Sequence, residues 1–170
     1  MSAGILTAAN CMSSGGVDPL IEVLFAAVDT ELSTADKLDI AAVLGLKLGE
    51  DGRTVIDASC EMNAYPTITL EDLNDDGSPE VFVQAGNVCN SGFTGSSLWL
   101  FIRDSAGRLQ ANFGFAALGY RRVGNQVQGF PDLELGGPGF CHPVWHWDGT
   151  GYVFLRRIEE QPGGCVPPVQ

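Results

Sequence analysis

Positive charge is scarce in this chain: nine lysines and arginines stand against 21 aspartates and glutamates, a formal net charge of −12. That balance repels phosphate backbones and anionic membrane surfaces, so nucleic acid is a poor partner, while a metal cation or a basic protein is favoured. Long hydrophobic runs are also missing. The longest apolar-rich stretch, Leu20 to Val28, is interrupted by Glu22, and no run of about 18 apolar residues offers a transmembrane segment. The first eleven residues have neither the basic start nor the long apolar region of a signal peptide, and Asn10 sits where a lipoprotein would carry a small residue before Cys11. No Cys-x-x-Cys pair occurs and histidine is limited to His142 and His146, which weakens zinc and thioredoxin-type readings.

What the chain does contain is enough apolar material for a core. At 170 residues and 45% hydrophobic content, one domain is expected. Its five cysteines, Cys11, Cys60, Cys89, Cys141 and Cys165, are widely spaced, which suits disulfides and therefore a periplasmic or secreted location. The alternative is five reduced, buried thiols acting as small hydrophobes. Cys165 lies in a Gly/Pro tail that needs anchoring, so the expected pairs are Cys141 with Cys165 and Cys60 with Cys89, leaving Cys11 unpaired.

Residues 1–16 are small and Ser/Gly-rich and read as a flexible leader, with a single domain over 17–170. Asp18-Pro19 is a helix start, and Leu20, Val23, Leu24, Ala27 and Val28 recur at helical spacing, predicting a helix that ends near Leu32. A second helix is predicted from Ala35 to Lys47, capped by Ser33 or Thr34, so that 17–50 forms a helical hairpin. From 53 to 165 the chain turns to short β-favouring runs punctuated by Gly, Pro and Asn. The predicted strands are 54–58, 67–70, 80–84, 97–103, 109–115, 132–135, 144–147 and 152–156, with tight turns at Asp104-Ser105-Ala106-Gly107 and Asp148-Gly149-Thr150-Gly151. The expected fold class is α+β, a helical hairpin packed on an antiparallel β-domain.

Between two predicted strands lies Asp72-Leu73-Asn74-Asp75-Asp76-Gly77-Ser78-Pro79-Glu80. Asp72, Asn74 and Asp76 take positions one, three and five of a calcium-type loop, Gly77 supplies the sharp turn, Ser78 a backbone carbonyl, and Glu80 a carboxylate at position nine. An EF-hand needs a bidentate Glu at position twelve, where this chain has Val83, and helical rather than strand flanks. The metal-free reading is a turn in which these side chains bond backbone amides. The Asp-x-Asn-x-Asp-Gly-x-Pro-Glu pattern resembles the FG-GAP and VCBS-type calcium loops of extracellular β-proteins, over about a dozen residues. Structural calcium is what that resemblance implies.

The order of parts over about residues 55 to 165 is similar to that of small exported bacterial proteins: this loop, the segment Asn87 to Gly95, the segment Gly136 to Cys141, and a closing hairpin at Trp147-Asp148-Gly149. Some proteins of that look are periplasmic immunity proteins, which inhibit peptidoglycan-degrading effectors of type IV or type VI secretion systems. The resemblance implies a protein-binding inhibitor that occludes the active site of a basic, cell-wall-degrading effector.

Catalytic apparatus is not evident. His142 and His146, with Cys141 nearby, lack a further zinc ligand in the local sequence, and Cys141 and His142, as strand neighbours, point to opposite faces. Glu159 with Glu160, or the cluster Glu71 to Asp76, would need a cleft to serve as a glycosidase pair. The expected activity is therefore binding rather than catalysis, through aromatic and glycine-rich loops: Ser91, Gly92, Phe93, Phe140, His142, Trp145 and His146. A structural or adhesive calcium module and a carbohydrate-processing enzyme are the alternatives.

Overall fold

The computed structural model describes residues 17–166. The leader expected over 1–16 and Cys11 lie outside the described residues. Strand exceeds helix, 42% against 16%, so the α+β expectation holds in its coarse form while β-structure dominates.

Two four-stranded antiparallel sheets stack face to face. The first contains β3 (Thr67–Glu71), β4 (Glu80–Ala85), β5 (Ser97–Arg103) and β6 (Leu109–Ala116), in the order β3-β4-β5-β6. The second contains β7 (Gly119–Val127), β8 (Phe130–Gly136), β9 (Cys141–Trp147) and β10 (Tyr152–Glu159), in the order β10-β9-β8-β7. Both are simple meanders, each strand pairing with its sequence neighbour.

The first sheet is a middle layer, and its sequence shows why. Side chains alternate across a strand, and β4 and β5 are apolar at successive positions, so both faces bury hydrophobic surface. Val81, Val83 and Phe101 face one core with Ile21, Leu24, Ile40 and Leu44 of the N-terminal segment. Phe82, Leu98 and Leu100 face the other, with Leu133, Leu135, Trp147 and Tyr152 of the second sheet.

The N-terminal layer departs from the expected helical hairpin. Helix α1 spans Pro19–Leu24 only, with the Asp18 carboxylate accepting from Leu20 N–H at 2.8 Å. Beyond Phe25 the bonds shorten to the three-residue type, Ala26 N–H to Val23 O and Val28 N–H to Phe25 O, and residues 28–33 carry no regular structure. Apolar spacing persists to Val28, but β-branched Val28 and Thr30 and the weak helix former Asp29 oppose propagation. Helix α2 spans Thr34–Leu44, opened by a reciprocal cap between Ser33 and Asp36 and ended by Gly45 in the left-handed conformation. The expected continuation to Lys47 is instead β1 (Leu46–Leu48), paired with β2 (Val55–Asp57).

Strand β7 was not expected from the sequence and holds the two sheets together. Tyr120 stacks on Phe82 with ring centroids 3.7 Å apart, and its hydroxyl donates to Glu71. Arg122 donates from Nε to the same carboxylate at 2.6 Å and from a terminal nitrogen to Asp72 O at 2.8 Å.

Because each sheet is a meander, successive connections alternate between two ends of the sandwich. One end collects the acidic loop 72–79 and the turns at 104–108, 128–129 and 148–151. The other collects the segments 86–96, 117–118 and 137–140 and the chain beyond β10, which includes the disulfide of Cys141 with Cys165.

Candidate functional site: an acidic cleft

The acidic loop organises itself through its own side chains. Asp72 accepts from Asp76 N–H at 3.2 Å and Gly77 N–H at 2.8 Å, and Asp76 accepts from Ser78 N–H at 2.7 Å. Asn74 Oδ1 accepts from Asp76 N–H at 3.2 Å, and its amide nitrogen donates to Asp76 Oδ2 at 2.9 Å. Asp75 and Gly77 take positive φ, 61° and 84°, which lets five residues reverse so tightly. The loop is further buttressed by the Gln128-Gly129 turn. A Cβ on Gly129 would lie 2.7 Å from Asn74 O, so glycine is required there both for space and for its φ of 86°.

Glu80 differs from the other loop carboxylates. It begins β4 and is buried, with Oε2 accepting from Leu73 N–H at 2.8 Å. Burial, reinforced by the charges of Asp76 and Asp72, pushes its carboxyl up to about 7.

Together with neighbouring turns, the loop bounds a cleft of about 590 Å³. Asn74, Asp76, Ser78 and Glu80 form one wall, Asp104, Gln110 and Asn112 another, and Trp147 with Thr150 a third. Asn112 also fixes the last hairpin, its side-chain oxygen accepting from Tyr152 N–H at 3.0 Å. Three carboxylates thus line the cleft. The one cation on its wall, Arg103, is engaged by both oxygens of Asp36 at 3.0 Å.

The donor chemistry of the loop suits a hard cation, since every candidate ligand is oxygen. Charge repulsion on Glu80 is also the kind that a cation relieves. As placed, however, the carboxylates bond loop amides, and among the described residues no group of three His, Cys, Asp or Glu side chains stands ready to hold a metal. Asp72, Asn74, Asp76, Ser78 and Glu80 are thus brought into one turn, with Asp72 outside the cleft wall.

The residues expected to bind a partner are divided. Phe93 is fully exposed and Phe140 half-exposed, both at the far end, each following a glycine of positive φ, Gly92 and Gly139. Ser91 is buried, its hydroxyl 2.8 Å from that of Ser97. Trp145 packs inward between the sheets against Phe115 at 5.0 Å and Phe113 at 6.0 Å, because its strand position alternates with His142, Val144 and His146 on the outer face. His142 is buried beside Glu160 at 3.2 Å. His146 Nδ1 is 2.6 Å from the buried Asp132. These two histidines share a face but lie four residues, about 13 Å, apart along a strand. Cys141, bonded to Cys165, is neither a thiolate ligand nor a nucleophile.

The second expected disulfide is not formed. Cys60 and Cys89 are unbonded, although their segments are adjacent.

Asp104, Asn112, Trp147 and Thr150 were not anticipated as site residues. Two signals pointed toward the turns that carry or flank them: each of the two tight turns begins with aspartate and contains glycine. No family model, curated protein or solved structure matches this chain.

Proposed function

We propose that the protein is a binding domain that receives a cationic group of a basic protein partner in the acidic cleft. The observation that carries this reading is the cleft itself, lined by Asp76, Glu80 and Asp104, with Arg103 on its wall already engaged by Asp36; burial, with the charges of Asp76 and Asp72, raises the Glu80 carboxyl so that it holds its proton more tightly. A guanidinium or ammonium entering the cleft beside Asp76, Glu80 and Asp104 releases that proton and gains a charge-assisted hydrogen bond. Trp147 and the carbonyl-rich turns supply flat and polar contact around it. The sharpest version is a periplasmic immunity protein that occludes the active site of a basic peptidoglycan-degrading effector, with the −12 charge raising the association rate.

Calcium belongs to the same proposal as a brace for the loop, with Asp72, Asn74, Asp76, Ser78 and Glu80 as its oxygen donors. Calcium addition is expected to raise the melting temperature and chelation to reverse the rise. No change in either direction removes calcium from the reading.

The test of binding uses a panel of basic peptidoglycan hydrolases in a cell-wall turbidity assay. Saturable inhibition that weakens at least tenfold in Asp76→Asn with Glu80→Gln is the expected result. An affinity unchanged by that double substitution overturns the cleft as the docking site. A second reading, a carbohydrate-processing enzyme, draws on the same carboxyl, because a raised Glu80 carboxyl that shares a cleft with Asp76 and Asp104 supplies the two carboxyl groups a glycosidase uses. Turnover of peptidoglycan by the protein alone, abolished by Glu80→Gln, would favour it.

A further inference from the structure

Two thiols lie outside the acidic cleft, at the opposite end of the sandwich. Cys60 follows β2 in a turn closed by Glu61 N–H to Asp57 O at 2.8 Å. Cys89 is in the short helix α3 (Val88–Ser91) between β4 and β5.

One oxygen brings them together. Asn87 Oδ1 accepts from the Cys89 N–H at 2.9 Å and from the Cys60 thiol at 3.6 Å, so the Cys60 sulfur sits against the first turn of α3. The Cys60 side chain is within reach of the Cys89 thiol and is the first of the groups that act on it.

The two segments are held in this relation on several sides. The Asn90 amide donates to Asp57, Asn87 Nδ2 donates to Asn63 O at 3.4 Å, and Gly86 N–H donates to Ala64 O at 2.7 Å. Asp57 also accepts from Ser59 N–H at 2.7 Å, fixing the turn that carries Cys60. Gly86 has φ of 134°, and a Cβ there would lie 2.7 Å from Ser91 Oγ, so the entry to α3 is packed without slack. These bonds hold the two cysteine-bearing segments against each other in advance, so that little chain movement is left for two-electron oxidation of the pair.

Other uses of the pair fit less well. No lysine, arginine or histidine is among the groups acting on Cys89; the neighbouring Cys60 side chain, burial and the Asp57 charge all hold its thiol above the ordinary range. It is therefore not an activated catalytic nucleophile. Two sulfurs also fall short of the four ligands of a structural zinc site. Access is graded: Cys89 is exposed and Cys60 only half-buried behind it.

We infer that Cys60 and Cys89 are a reversible dithiol–disulfide exchange site, with Cys89 the entry sulfur and Cys60 the resolving one. The thiolate of Cys89 attacks one sulfur of a small or protein disulfide, RSSR. The S–S bond breaks, a mixed disulfide forms on Cys89, and the first RS⁻ leaves and is protonated. The Cys60 thiolate then attacks the Cys89 sulfur, forming the intramolecular bond and releasing the second RS⁻. The two cysteine protons end on two RSH molecules, and the pair of thiols is oxidised as RSSR is reduced. Oxidation fastens the loop after β2 to α3, beside the exposed Phe93, and leaves the acidic cleft at the other end untouched.

The test treats the folded protein with oxidised glutathione and maps thiols by alkylation, digestion before aspartate residues and mass spectrometry. Cleavage before Asp72 and Asp76 puts Cys60 and Cys89 in different peptides. A crosslink between those peptides, reversed by reduced glutathione, is expected, together with a higher melting temperature. In Cys60→Ser a stable glutathione adduct on Cys89 should replace the crosslink, and in Cys89→Ser adduct formation at Cys60 should slow at least tenfold. A persistent adduct on Cys89 in the unsubstituted protein, or two thiols that both stay alkylatable at equilibrium with excess oxidant, overturns the proposal. Equal reactivity of Cys60 with and without Cys89 overturns the assignment of the entry sulfur.

Discussion

At the acidic end of the sandwich, short turns hold themselves in shape with aspartate side chains; at the far end, longer connections rely on sulfur and on packed glycine. Asp104 accepts from Ala106 and Arg108 N–H at 2.9 and 3.0 Å, and Asp148 accepts from Thr150 and Gly151 N–H at 2.8 and 3.0 Å, so each turn is complete within a few residues. The far end instead joins residues distant in sequence, Cys141 to Cys165 and the Cys60 turn to α3. It also exposes Val88, Phe93, Leu118 and Phe140. The difference separates two tasks. Self-capped turns can present carboxylates to a ligand without costing the fold its closure, while the far end secures the chain.

The largest expected effect falls on the far end. Cys141→Ser opens a link across 24 residues, and loop-closure entropy puts the loss at about 3 kcal/mol in urea unfolding. If the loss is under about 1 kcal/mol, the far end is not what secures the chain.

The acidic end should show itself through pH. Glu80 binds its proton more tightly folded than unfolded, so the folded state holds more protons between its ordinary value near 4.5 and its folded value of about 7. Stability is thus fullest below that window and declines as pH rises through it, by no more than about 3 kcal/mol. Glu80→Gln should flatten this part of the profile, and so should calcium if it binds the loop. A profile from Glu80→Gln that still falls across the window would place the proton elsewhere.

A smaller effect is expected from Asp148→Ala, which removes the acceptor for Thr150 and Gly151 amides and the Thr150 hydroxyl. The cost should show as a lower melting temperature, with cleft binding weakened as the Thr150 wall loosens. The smallest is Phe93→Ser, which should change stability by less than about 0.5 kcal/mol because the ring touches solvent on all sides. An unchanged partner affinity in this variant would assign binding to the acidic end, and a large loss would assign it to the far end.

Legibility in the sequence followed the same division. Turns at Asp104 and Asp148 and the acidic loop were readable because aspartate and glycine carry the turn chemistry locally. Strands β4 and β5 were readable from β-branched and aromatic runs. Strand β7 was not, because Gly119, Arg121, Arg122, Gly124, Asn125 and Gln126 break the alternation, and the pairing with β8 shifts register between Val123 and Gln126. Its anchoring depends on Tyr120 meeting Phe82 and Glu71, which only the stacking of two sheets brings together. The helix expected to reach Leu32 failed for a related reason: apolar spacing alone predicted length, while Leu32 reaches the core from an irregular segment between the two helices. Within the site, loop residues were visible as a motif, but Asn112 and Trp147 join them through strand register set by hairpins tens of residues away.

The middle sheet has one more consequence, concerning how the chain can be divided. Val81 and Val83 serve one core and Phe82 the other, so three consecutive residues of β4 anchor both the helical layer and the second sheet. Neither outer layer has a hydrophobic floor of its own without that strand. A fragment ending before β4 or beginning after it would expose one whole face of the sandwich, and deuterium uptake in the intact protein should reach the β4 amides only through complete opening of the molecule.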